Sequence, residues 1–178
     1  MATIYTIGHS TRDLAEFSSL LQAHEIAVLE DIRAFPMSRR HPHFNREHLE
    51  LWLPEIGADY VWEKDLGWRR GKQMPREQSP NLALRNDSFR NYADYMLSET
   101  FQNAAARLIA RAEKQRTAIM CAELLYFRCH RMLVSAYLVS HGHKVLHIQD
   151  EKPPKEHALS KDARVMNSRL EYRGDYLL

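Results

Sequence analysis

Short apolar runs recur along this chain, separated by segments of helical periodicity, and that alternation admits few folds. The runs are Ile4 to Ile7, Ala27 to Ile32, Thr117 to Cys121 and Lys144 to Ile148, with a shorter candidate from Ala58 to Glu63. Between them, apolar residues return every three or four positions: Leu14, Phe17, Leu20 and Leu21, then Leu49, Trp52, Leu53 and Ile56. Two further helices are expected on either side of Ser98 to Thr100, one carrying Phe89, Tyr92, Ala93 and Met96, the other Phe101, Ala104, Ala105 and Leu108. A last helix runs from Arg131 to His141 and closes at Gly142. Strand and helix in alternation predict an α/β fold, a three-layer sandwich with a mostly parallel central sheet, formed as a single domain over residues 1–178.

The connections carry their own signals. Ser10 offers a hydroxyl to the first helix, with Asp13 in its first turn, and Asn45 is placed to cap the second, with Phe44 and Leu49 at the positions of a hydrophobic staple. Residues 34–44, with two prolines, Arg39-Arg40 and two histidines, read as a basic loop. Residues 64–86 read as a second, of a length that is uncommon unless the segment binds something or is disordered. The tail, 149–178, is charge-balanced and is expected to hold at most one short helix.

Composition excludes several classes. The chain has 178 residues and a formal net charge of +2, so no global electrostatic attraction to nucleic acid follows. The bias is local: from Lys64 to Arg90, seven Lys or Arg stand against three acids, an excess of four. Two cysteines make no secreted disulfide framework, and the first residues, MATIYTIGHS, lack the pattern of a signal peptide, so a reducing cytoplasm is the expected location. The chain has no apolar run of the roughly 18 residues that a spanning helix needs, and no membrane partner is expected. Walker, GxGxxG and nucleophile-elbow motifs are missing, which removes the main support for nucleoside triphosphatase, dinucleotide and serine hydrolase chemistry.

The reactive residues gather at strand ends. TAIMCAELLYFRCHR, residues 117–131, delivers Cys121 and Glu123 to the end of one strand and Cys129, His130 and Arg131 to the start of the next helix. In a parallel sheet, His9 and Ser10 after the first strand and Asp31 and Arg33 after the second open on the same edge. A helix start beside His130 and Arg131 favours a thiolate at Cys129, while packing alone also accounts for buried cysteines. Glu123 in such a crevice serves as a general base, a nucleophile or an ion-pair partner of Arg33 or Arg131. Arg33 and Arg131 offer forked donors to a phosphate or carboxylate; Arg39, Arg69, Arg70 and Lys72 extend positive potential around them, and Trp68 is either a stacking platform or a core residue. Cys121, Cys129, His130 and His9 contain enough sulfur and nitrogen for zinc, without the short spacing of a zinc knuckle.

Three functions follow as expectations. The first is an enzyme acting on an anionic substrate, a nucleotide or nucleic acid among them, by hydrolysis or group transfer, with Cys129 or Glu123 reacting and His9 assisting proton transfer. The second is a non-catalytic module that binds nucleic acid or protein through the basic loops. The third is a Cys/His metal-binding protein. The oligomeric state is left open.

Several motifs taken together resemble one family. Thr6-Ile7-Gly8-His9-Ser10, Asp31-Ile32-Arg33, Pro36 with Ser38, Leu66-Gly67, Cys121-Ala122-Glu123, Cys129-His130-Arg131, Val145 with His147-Ile148, and His157-Ala158-Leu159 resemble the DUF488 family of bacterial and archaeal proteins, essentially end to end. The resemblance implies a shared α/β domain in which these motifs cluster, and it implies no particular activity. Trp68 stands where many members carry a second glycine after Leu-Gly.

Overall fold

Strand and helix alternate through β1 (Thr3–Gly8), α1 (Leu14–Ala23), β2 (Val28–Asp31), α2 (Arg46–Trp52), β3 (Asp59–Trp62), α3 (Asp87–Tyr95), α4 (Glu99–Ala112), β4 (Thr117–Cys121), α5 (Arg131–Ser140) and β5 (Lys144–His147) in the computed structural model, which describes residues 1–173. The sheet order is β3-β2-β4-β1-β5, and all of these strands are parallel. A short β6 (Lys155–Glu156) adds antiparallel to β5. This is the expected mostly parallel α/β sandwich.

Its two cores explain the uninterrupted apolar strands. Ile7, Leu29, Ala118 and Met120 face α1 and α2 beside Phe17, Leu21 and Leu49. Ile4, Ile119, Cys121 and Val145 face the layer of α3, α4 and α5 beside Tyr92, Phe101, Leu108 and Leu133. Every residue of β4 is buried, as a central strand covered on both faces requires.

Topology creates the opening. β1 leads into α1 on one face of the sheet and the adjacent β4 leads into α5 on the other, so their connections part company at the carboxyl edge. The two loops are nevertheless stitched at their roots: His9 N–H donates to Cys121 O and Ser10 N–H to Ala122 O, each at 3.0 Å. Gly8 permits this approach, because a Cβ there would lie 1.9 Å from the Glu123 carbonyl oxygen.

Three local expectations are corrected. Asp13, not Ser10, caps α1, accepting from Glu16 N–H at 2.8 Å, and Ser10 instead occupies a left-handed turn (φ 48°) that presses its amide onto the neighbouring loop. Asn45 stands at the start of α2 without a side-chain cap, since its side-chain oxygen, Oδ1, accepts from Ser38 N–H and organises the basic loop. The tail holds strands where at most a short helix was expected: β6, then a hairpin of β7 (Ala163–Met166) and β8 (Arg169–Tyr172). Pairing that the local sequence does not advertise decides this, for Tyr172 N–H donates to the Asn81 side chain and Ala83 N–H donates back to Tyr172 O. The remainder of the expected tail, residues 174–178, lies outside the described residues.

Candidate functional site

A cavity of about 1110 Å³ opens at the carboxyl edge of the sheet. Its floor is made by His9 and Ser10 after β1, Arg33 after β2, and Cys121, Glu123, Cys129 and His130 between β4 and α5; Arg39 and His41 from the first basic loop and Trp68 and Arg69 from the second form its walls.

The two sulfurs lie 3.2 Å apart, unlinked, with one cation serving both. Arg131 Nε is 3.1 Å from Cys121 Sγ and 3.4 Å from Cys129 Sγ, and the Arg131 amide, at the start of α5, is also 3.4 Å from Cys129 Sγ. A hydrogen bond from the Cys121 thiol is the largest influence holding Cys129 well below the ordinary thiol range, and His130 and Arg131 add to it against the opposing effect of burial. Cys121 moves the other way: burial, then the neighbouring Cys129, push its thiol up. Within the pair, Cys129 is therefore the more acidic thiol.

Arg131 is itself held from behind. Its guanidinium donates to the Glu123 and Leu124 carbonyls and, at 3.4 Å, to Thr6 Oγ1. Thr6 Oγ1 is in turn 2.7 Å from His147 Nδ1, and His147 Nε2 is 2.9 Å from His157 Nδ1, so a hydrogen-bonded chain runs back from Arg131. Tyr126 lies flat on the His147 ring, 3.5 Å between centroids. Both imidazoles stay neutral, burial lowering His147 to about 3 and His157 to about 4.

A second buried cluster sits across the floor. Asp31 grips Arg33 through both carboxylate oxygens, at 2.8 and 2.6 Å, and accepts from Tyr60 OH at 2.7 Å. Arg33 also donates to Phe44 O at 2.7 Å and, from Nη1, to His9 Nε2 at 3.3 Å. With that nitrogen accepting, His9 donates from Nδ1 to Ser10 O at 2.9 Å, and its ring stacks on Phe44. Burial holds His9 neutral, lowering it to about 4.

A family model described as "Domain of unknown function DUF488" matches residues 13–138. The chain belongs to the DUF488 family. The matched span contains both cysteines, Asp31, Arg33, Trp68, Glu123, His130 and Arg131, while His9 and Ser10 precede it. No curated protein and no solved structure matches the chain.

In this DUF488 chain the expected residues divide by depth. Cys121, Glu123, Cys129, His130, His9, Ser10, Arg33, Arg39 and Trp68 all border the cavity. Asp31 and Arg131 do not: both are buried supports, one beneath Arg33 and the other behind the sulfurs. Trp68 packs on Phe89 and Tyr92 and stacks on His130, so it serves as wall and core at once. His130 donates from Nε2 to Ile32 O at 2.9 Å, tying the cysteine loop to β2. Glu123 is half-buried, one oxygen accepting from Leu125 N–H at 3.2 Å and the other uncommitted among the described residues. Among the described residues no three His, Cys, Asp or Glu side chains converge as a metal ion would need, and the place beside the two sulfurs is filled by a guanidinium.

The sequence did not single out Arg128 or His41, which also line the cavity, and it gave no role to the Thr6–His147–His157 chain. Arg128 sits one residue before the Cys-His-Arg triplet, which was its signal. The guanidinium groups of Arg39, Arg69 and Arg128 have no hydrogen-bond or ion-pair partner among the described residues, so the cavity mouth carries cations free to meet a ligand. Among the described residues no helix is long and apolar enough to cross a membrane.

Proposed function

We propose that this chain is a thiol-dependent enzyme that binds an anionic small molecule and transfers a group from it through Cys129. The observation that carries this reading is the sulfur pair: a cavity-facing cysteine sulfur within reach of Arg131, a helix-terminal amide and a neighbouring thiol, beneath a ring of arginines with uncommitted side chains.

Each part of the site has a task. Arg39, Arg69 and Arg128 attract and seat the anion. Cys129 Sγ forms a bond to the electrophilic atom while the leaving group departs with the electrons of the bond it loses. Glu123, with one oxygen uncommitted, accepts a proton from the group or water that discharges the adduct. His9 has both nitrogens engaged, so it acts by orienting Arg33, and Arg131 acts by holding charge on the sulfurs. A reducing cytoplasm, which keeps both thiols free, suits this chemistry.

The test is the pH dependence of alkylation of the reduced protein by iodoacetamide, read by peptide mass. Cys129 should react first, at a pH well below that of a free thiol, and inorganic sulfate should slow it. In a screen of anionic substrates, Cys129→Ser should abolish turnover and Glu123→Gln should reduce it. Full turnover in both variants, or alkylation of Cys129 only in the ordinary thiol range, would overturn the assignment.

A further inference from the structure

A nucleophile that only transfers a group has no need of a second thiol in contact with it. Here Cys121 Sγ stands 3.2 Å from Cys129 Sγ, and the two thiols need to approach by only about another 1 Å to reach the length of a disulfide bond, about 2.05 Å. Arg131 Nε lies within hydrogen-bonding reach of both, so negative charge is matched on whichever sulfur bears it. Any substrate linked to Cys129 through sulfur would be exposed to an intramolecular attack that solution thiols cannot rival.

We propose that Cys121 and Cys129 form a dithiol couple that reduces an anionic disulfide seated in this cavity, with Cys129 attacking and Cys121 resolving. This rests on the reading of Cys129 as nucleophile and names its substrate class. The exposure of the two residues fits their order, 9 % for Cys129 and 3 % for Cys121. The cavity, about 1110 Å³, lies just above the range of small-molecule sites, roughly 300–1,000 Å³, and so has room for such a disulfide. The unpaired Arg39, Arg69 and Arg128 supply its preference for negative charge.

The cycle balances in two steps. The Cys129 thiolate attacks one sulfur of the substrate disulfide, forming a mixed disulfide and expelling the other half as a thiolate, which takes a proton from water. Cys121 then attacks Cys129 Sγ, its proton passing to the departing second thiolate, and a Cys121–Cys129 disulfide remains. Two electrons have moved from the protein to the substrate, and an external dithiol reductant returns them.

Reduced protein is mixed with three disulfides that differ in charge: glutathione disulfide, anionic; 2-hydroxyethyl disulfide, neutral; and cystamine, cationic. With glutathione disulfide the wild-type chain should release two thiols and lose two hydrogens, with the Cys121 and Cys129 peptides joined. Cys121→Ala and Cys121→Ser should release one thiol and retain glutathione on Cys129; the wild-type mass alone decides the point if neither variant folds. Rates should fall about tenfold or more from the anionic to the cationic probe and converge at high salt. A stable glutathione adduct on wild-type Cys129 with no internal bond would overturn the dithiol couple and leave the nucleophile reading standing. Neither an adduct nor an internal bond in wild type, with Cys129 still alkylated by iodoacetamide below the ordinary thiol range, would overturn the dithiol couple alone; loss of that alkylation as well would overturn both, and equal rates with cystamine and glutathione disulfide would overturn the substrate class.

Discussion

Arg131 is the residue on which the site turns, because five groups depend on the fork of one guanidinium: two sulfurs, two carbonyls and a hydroxyl. A lysine keeps the charge but cannot reach them together. Arg131→Lys should raise the pH midpoint of Cys129 alkylation by about one unit or more and cost on the order of 3 kcal/mol in urea unfolding. The histidines behind it give a prediction about pH. Folding holds His147 and His157 neutral far below the usual imidazole range near 6.5, so the unfolded chain binds protons there that the folded chain refuses. Stability should therefore fall as pH drops below about 6.5, until the folded values are reached. His147→Gln should shrink the loss between pH 7 and pH 5 by about 1–2 kcal/mol, measured by urea midpoints. Burial pushes Glu30 up to about 7, which acts in the opposite direction, but that contribution is common to both proteins and cancels in the comparison.

At the level of elements, the junction of β1 with the loop after β4 is the least forgiving place. Gly8→Ala would drive a methyl group into the Glu123 carbonyl, and separating the two segments should cost about 1–3 kcal/mol or more and slow Cys129 alkylation. At the start of α3, Asn86 accepts from Ser88 and Phe89 N–H at 2.9 and 3.2 Å, and Asn86→Ala should cost about 1 kcal/mol in the same unfolding assay without touching thiol reactivity. The central elements were legible because β4 is an unbroken apolar run, as a strand covered on both faces must be, and α4 keeps a helical period that its buried residues Phe101, Ala104, Ala105 and Leu108 follow. Asp13 lost its place to Ser10 in the sequence reading because either residue has an oxygen to offer, and only the left-handed turn at Ser10 decides between them. The strands of the tail were hidden for two reasons: β8 is anchored by Asn81 and Ala83, far away in sequence, and β6 is two residues long, too short to show a period of its own. Likewise the cluster of reactive residues could be foreseen from strand ends, but the burial of Asp31 and Arg131 as supports could not, since depth behind a cavity leaves no periodic trace.

For the molecule as a whole, charge is distributed so that the net value says little. Arg39, Arg69 and Arg128 come from three separate segments and meet only at the cavity mouth. Replacing Arg69 and Arg128 by alanine should leave unfolding within about 0.5 kcal/mol of wild type, while sulfate protection of Cys129 weakens and its dependence on salt flattens. Ser79 and Asn81 donate to Asp94 on α3, and Asn81 also accepts from Tyr172 on β8, so the segment carrying Trp68 and Arg69 is fastened by a strand made more than ninety residues later. During synthesis, then, both sulfurs leave the ribosome well before the wall beside them is secured, and a nascent chain passes through an interval in which its most reactive atoms are least sheltered.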